Sequence, residues 1–199
     1  MAVRRAVFLD KDGTLINDVP YNVDPDLVRL REGAGEALRR LAGAGYRLVV
    51  VSNQSGVARG LFAESALAAV ERRLRALLWD EGVSLDAFAA CTHLLGGAVA
   101  RYAVDCACRK PKPGLLLDVA DRLGLDLERS WMVGDILDDV EAGRSAGCRT
   151  VLLDAGTETE WILTPRRVPH DVAPDLPAAA DAILAAAASP SLEEAPTPR

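Results

Sequence analysis

This 199-residue sequence predicts a doubly wound α/β fold, a parallel sheet with helices on both faces. Apolar runs of strand length alternate with amphipathic stretches of helical length, and the runs end in polar, chemistry-bearing residues. Half of the residues are hydrophobic (50%), which supplies one substantial core at this length.

The elements follow in order. Val7-Phe8-Leu9 closes a first strand near residues 5–9, and an amphipathic helix is expected near 33–44. Tyr46-Arg47-Leu48-Val49-Val50-Val51 forms the second strand, ahead of a long helix near 63–81 and a third strand near 86–91. Cys108-Arg109-Lys110-Pro111-Lys112-Pro113-Gly114 opens a helix near 113–124, and Trp131-Met132-Val133-Gly134 makes a strand near 130–134. A helix near 138–146 then leads to a strand near 149–153, with Cys148 at its start as a small core residue. A short strand near His170-Asp171-Val172 and a helix near 176–187 complete the sheet edge. One domain is expected over residues 1–188, and the Pro-, Ser- and Glu-rich residues 189–199 read as a disordered tail. No internal repeat is present.

The charge balance is 23 basic against 29 acidic residues, a formal −6, with no long basic tract. That argues against nucleic acid or an anionic membrane as partner, while leaving local capture of a phosphate open. No signal-like segment precedes the first strand and no stretch approaches membrane-spanning length, so a cytoplasmic protein is expected. It is expected to be a monomer.

Asp10-Lys11-Asp12-Gly13-Thr14 is the most informative segment, because an apolar strand ends abruptly in two carboxylates one residue apart. Gly13 lets the chain turn and bring the second carboxylate beside the first, so that one can attack while the other carries a proton. An EF-hand loop is disfavoured, since no Glu stands at the twelfth position. Three further signals follow other apolar runs or open a helix: Ser52-Asn53-Gln54-Ser55-Gly56, Arg109-Lys110, and Asp135 with Asp138-Asp139. In a doubly wound sheet they converge outside the carboxyl ends of the strands.

Together these segments resemble the four-motif pattern of the haloacid dehalogenase-like (HAD) phosphohydrolase superfamily, over residues 5–155. The resemblance implies a Rossmann-like sheet and a small phosphorylated metabolite as substrate, with Asp10 as nucleophile and Asp12 as general acid and base. An aspartate two positions after the nucleophile favours a hydrolase over the related transport ATPases. Ser52 can donate to a phosphoryl oxygen, and Lys110 is the candidate for the fixed positive charge, with Lys112 as its competitor. A carboxylate attacking a dianion needs a screening cation, and Mg²⁺ fits through Asp10 and Asp135. The main-chain carbonyl of Asp12 joins that set by resemblance. Asp139 matches the family spacing better than Asp138 for holding the water shell or orienting Lys110; as an alternative, both cap the following helix. The span between Asp10 and Ser52 is filled by a loop and one helix, so no cap domain is expected. Selectivity then falls to loops such as Asp18-Val19-Pro20-Tyr21-Asn22. Substrate contacts are expected from Tyr21, Asn22, Asn53, Gln54, Ser55, Arg59 and Arg109, with Arg59 and Arg109 forming a second anion site.

Cys91-Thr92-His93 and Cys106-Ala107-Cys108 form two one-gap pairs. Each can present two ligands on one side of an extended loop, giving the closed Cys₃His set of a structural Zn²⁺. A zinc-stapled loop just before Cys-Arg-Lys-Pro resembles a branch of the superfamily comprising heptose bisphosphate and histidinol phosphate phosphatases. The chain departs from that branch at Leu94 and Leu95, which follow His93, and at Ile136, where some members carry lysine.

Overall fold

The computed structural model describes residues 4–154, 156, 158 and 161–188; the tail expected at 189–199 lies outside them. Its six strands are β1 Ala6–Leu9, β2 Arg47–Asn53, β3 Ala87–Cys91, β4 Trp131–Gly134, β5 Arg149–Leu153 and β6 Asp171–Ala173. Every pairing is parallel, in the order β3-β2-β1-β4-β5-β6. The order reverses at β1, so the crevice of a doubly wound sheet opens at the carboxyl end of β1 and β2 on one side and β4 on the other.

Alternation along the strands divides the core. Val7 and Leu9 of β1, Leu48 and Val50 of β2 and Val133 of β4 face one side. There they meet α1 (Ala34–Gly43), α2 (Leu67–Asp80) and α5 (Leu176–Ala188) through Leu38, Leu74 and Ile183, all at 0% exposure. Ala6, Phe8, Val49, Val51 and Met132 face the other side, against α3 (Gly114–Leu123) and α4 (Leu137–Ala146) through Leu116, Val119 and Ala142. Because both faces are dry, the central strands are apolar at nearly every position, which is why they read as unbroken hydrophobic runs.

The observed elements fall at the expected places, most within a residue or two. Between β1 and α1 the described chain forms only a short 3₁₀ turn, Pro25–Leu27, and two isolated bridges, Asp12 with Ile16 and Ile16 with Leu30. No cap domain is inserted there, and the carboxyl edge of the sheet stays open.

One buried hydroxyl ties the central strands at the opposite edge. Ser130 Oγ accepts from the Ala6 N–H at 2.9 Å and donates to the Asp126 carbonyl at 2.5 Å, with no exposed surface. Ser130→Ala should therefore leave a buried N–H without its partner and cost about 1–3 kcal/mol in urea unfolding, with turnover unchanged.

Candidate active site

β1 ends at Leu9, so Asp10 is the first residue beyond the strand, its N–H still held by the Val133 carbonyl at 2.9 Å. The chain then turns tightly, with the N–H groups of Leu15 and Ile16 both donating to the Lys11 carbonyl. Strand alternation no longer governs this turn, and Lys11 is buried with Asp10 instead of opposite it. Gly13 makes the turn feasible, with φ of 77° and a position where a Cβ would lie 2.2 Å from Asp135 Oδ2. Thr14, fully buried, donates its hydroxyl to Asp135 Oδ1 at 2.9 Å and so orients that carboxylate.

Lys110 enters this crevice from the loop before α3 and is 1% exposed. Its ammonium donates to Asp10 Oδ1 and to the Val51 carbonyl at 2.9 Å, and pairs with Asp139 Oδ1 at 2.6 Å. Burial alone would strip its charge, but Asp10 and Asp139 outweigh that and hold the ammonium above its ordinary range. Lys112, by contrast, is half exposed and pairs with Asp105, so of the two lysines it is Lys110 that enters the crevice. Asp138 and Asp139 also separate. Asp139 is fully buried, reaches back to the Ile136 N–H at 3.4 Å and meets Lys110, whereas Asp138 turns outward to Arg167 at 2.8 Å. Helix capping and lysine orientation are thus combined in Asp139. Gly134 permits its approach, since a Cβ there would lie 2.2 Å from Asp139 Oδ2.

Oxygens of Asp10, Asp135 and Asp139 lie within 4.8 Å of one another. Three carboxylates around one ammonium leave excess negative charge in a buried place. Desolvation, reinforced by the neighbouring carboxylates and only partly opposed by Lys110, pushes Asp10 up to about 8. A divalent cation taking oxygen ligands from Asp10 and Asp135 would relieve this repulsion, so these carboxylates fit Mg²⁺.

Two adjoining cavities lie over these residues. The first, about 210 Å³, is lined by Asp10, Asp12, Ser52, Lys110, Asp135 and Ile136 among others. The second, about 220 Å³, is bounded by Lys11, Tyr21, Asn22, Gln54 and Ser55, and shares Asp12, Asp18 and Asn53 with the first. Asp18, an acidic wall of both, has its carboxyl raised by partial burial and by repulsion from Asp12 and Asp135. Lys11 and Thr14 carry no role among the sequence expectations, and Asp18 enters them only as part of the loop expected to set selectivity. Thr14 was visible beside Gly13, but the inward turn of Lys11 had no local signal.

Several expected substrate-contact side chains have protein partners. Asn53 forms a reciprocal amide pair with the main chain of Lys110, donating to its carbonyl and accepting from its N–H, both at 3.0 Å. Asn22 pairs in the same way with the Asp24 main chain at 3.0 and 2.8 Å, which stiffens the loop that carries Tyr21 at φ of 55°. Gln54 donates to Asp12 and to Ser52. Arg59 stands 5.9 Å over the Tyr21 ring, at the wall of the second cavity, whereas Arg109 reaches the His93 carbonyl at 3.4 Å. The two arginines have separate neighbours.

Cys91, at the end of β3, and His93 converge with Cys106 and Cys108 from the loop before α3, with all four donor atoms within 4.8 Å of one another. Three sulfur–sulfur separations are 2.9, 3.3 and 3.6 Å, and His93 Nδ1 is 3.3 Å from Cys108 Sγ. Three cysteines free of disulfides and one imidazole gathered in this way have the Cys₃His donor chemistry that fits a zinc ion. Burial raises the Cys91 and Cys108 thiols. For Cys106 burial acts the same way, but hydrogen bonds from Cys108 and the Arg109 N–H bring it down to about 7, toward the thiolate that a metal requires.

Because Gly13 both turns the chain and clears Asp135, Gly13→Ala should displace the carboxylate set. The expected result is at least about tenfold weaker Mg²⁺ binding by calorimetry, with the zinc content unaltered.

The family model described as HAD-hydrolase-like matches residues 107–179. A relative from Pasteurella multocida named D-glycero-beta-D-manno-heptose-1,7-bisphosphate 7-phosphatase is 43% identical over 155 residues, covering 77% of this chain and 84% of the relative. The protein of the same name from Yersinia pestis is 40% identical over 148 residues, covering 74% and 79%. Among solved structures, the D,D-heptose 1,7-bisphosphate phosphatase of B. bronchiseptica, complexed with magnesium and phosphate, matches with a TM-score of 0.76 at 32% identity, covering 92% of this chain and 99% of that one. The chain belongs to the HAD-like phosphatases, in the family of the heptose-1,7-bisphosphate 7-phosphatases.

Proposed function

We propose that this chain is a Mg²⁺-dependent phosphatase that removes the 7-phosphate of D-glycero-D-manno-heptose 1,7-bisphosphate through an aspartyl-phosphate. The observation that carries the reading is the buried contact of Lys110 with Asp10, in a cavity that also presents Asp12, Ser52 and Asp135. Lys110 holds one oxygen of Asp10, and the other attacks phosphorus as the bond to the sugar oxygen breaks. Asp12 gives its proton to that leaving oxygen. Water then attacks the acyl phosphate, Asp12 takes the proton from the water, and inorganic phosphate departs with Asp10 restored. The Ser52 hydroxyl donates to a phosphoryl oxygen, and the Lys110 ammonium stabilises the charge that develops there.

Asp10, Asp135 and the Asp12 carbonyl would hold Mg²⁺, with Asp139 orienting Lys110 from outside that set. When bound, the ion screens the nucleophile from the phosphate dianion. Cys91, His93, Cys106 and Cys108 would hold a structural Zn²⁺, which would secure the loop leading to Arg109 and Lys110. Substrate recognition falls to the second cavity. Its buried Lys11, and Arg59 on the Tyr21 wall, supply the positive charge that the remaining phosphate of a bisphosphate seeks. Tyr21, Asn22 and Ser55 shape that cavity, and Arg109 supports the zinc loop from its contact with His93.

Side-by-side assays on heptose bisphosphate and histidinol phosphate test the substrate. Faster turnover of the bisphosphate is expected, and preference for histidinol phosphate would reverse the assignment. Asp10→Asn, nearly isosteric but a poor nucleophile, should lower turnover by about a thousandfold or more while leaving the fold intact; activity within tenfold of wild type would remove Asp10 from its role.

The two metals should part company on chelation. EDTA should stop turnover and added Mg²⁺ should restore it, while elemental analysis still finds about one zinc per chain held by the closed thiolate set. A purified, active protein free of any thiolate-bound metal would refute the zinc assignment.

A further inference from the structure

Gln54 follows directly on β2 and is 6% exposed, yet its amide nitrogen makes two bonds to groups of the reaction. It donates to Asp12 Oδ2 at 3.0 Å and to Ser52 Oγ at 2.8 Å. The main-chain N–H of Gln54 donates to the carbonyl of Cys91 at 2.7 Å, which anchors the residue to the end of β3. The amide nitrogen carries two hydrogens, one directed at Asp12 and the other at Ser52. The other oxygen of Asp12 pairs with the buried Lys11 at 2.9 Å. Asp12 is thus gripped on both oxygens although its side chain is 29% exposed.

Such a grip matters for a group that must place one proton on a leaving oxygen and later collect one from water. A freely rotating aspartate at the mouth of a cavity spends much of its time out of reach of either atom. Lys11 supplies charge, but its ammonium is a rotatable point donor. The amide of Gln54 is planar, its nitrogen held also by Ser52 and its backbone by the Cys91 carbonyl, so it sets direction.

We propose that Gln54 is a positioning residue for the hydrolysis, holding the Asp12 carboxyl in line with the leaving oxygen. This differs from the expectation that Gln54 contacts the substrate, and it rests on the phosphatase reading above. In the step it serves, Asp10 oxygen bonds phosphorus, the phosphorus–oxygen bond to the leaving group breaks, and the Asp12 proton passes to the departing oxygen. A sugar alkoxide needs that proton, whereas p-nitrophenolate leaves without it.

The readout is therefore a ratio, the rate of phosphoryl transfer from the sugar phosphate divided by that from p-nitrophenyl phosphate, each measured as the first turnover by rapid quench. Gln54→Met keeps the length of the side chain and removes the donor. The ratio should fall roughly ten- to a hundredfold. Asp12→Asn should lower it as well, and adding Gln54→Met to Asp12→Asn should change it by less than about threefold, because the lost group acts only through Asp12. A role confined to packing lowers both rates together and leaves the ratio where it was. Gln54→Leu, which also lacks the donor, serves as the second variant, with melting temperature and zinc content checked for each. A ratio within about threefold of wild type in both variants, or full additivity with Asp12→Asn, would overturn the proposal. If wild type hydrolyses neither compound, or Asp10→Asn retains activity, the phosphatase reading itself fails, and the two failures are told apart.

Discussion

The ammonium of Lys110 is the group on which the geometry of this site depends. A lysine with 1% exposure is tolerable only if its charge and its hydrogens are matched, and three groups from three parts of the chain meet it: Asp10 after β1, the Val51 carbonyl within β2 and Asp139 in α4. Each partner is thereby located relative to the other two. The loop that delivers the lysine is fixed independently, because Asn53 pairs with both main-chain groups of Lys110 in the manner of a neighbouring peptide.

The same arrangement creates an electrostatic debt that shapes the rest of the crevice. Asp10, Asp135 and Asp139 crowd around a single ammonium, and burial drives the Asp10 carboxyl well above the usual carboxylate range. The protein orients these groups by close backbone approach instead of by bulk. Gly13 and Gly134 leave room for Asp135 and Asp139, and Thr14 pins one oxygen of Asp135. Carboxylates held this near one another are arranged for a cation more than for mutual stability.

A second cluster acts at one remove. The sulfur and imidazole donors gather the end of β3 and the loop before α3, and from this knot two connections run toward the reacting groups. One is the short stretch from Cys108 to Lys110. The other passes from the Cys91 carbonyl to the Gln54 N–H, and from the Gln54 amide to Asp12 and Ser52. The loop bearing Tyr21 and Asn22 forms the far wall of the second cavity, braced by the Asn22–Asp24 pairing.

The sequence by itself determined what is local along the chain. Strand and helix order follows from apolar runs and periodicity, and two-sided burial accounts for the unbroken hydrophobicity of β1, β2 and β4. The Asp10–Asp12 pair and the Cys₃His quartet were legible because spacing of one residue is itself a geometric statement. Tertiary structure alone decided which of two neighbours enters the crevice. Lys110 turns in while Lys112 pairs with Asp105, and Asp139 turns in while Asp138 meets Arg167. It also decided that Asn53 and Gln54 bond to Lys110, Asp12 and Ser52, that Lys11 is buried, and that Arg59 and Arg109 have separate partners. The reason is physical. Periodicity encodes the direction of a side chain only while the backbone stays regular, and each of these choices is made just past a strand end or at a helix start, by partners whose distance along the chain reaches 100 residues for Lys110 and Asp10.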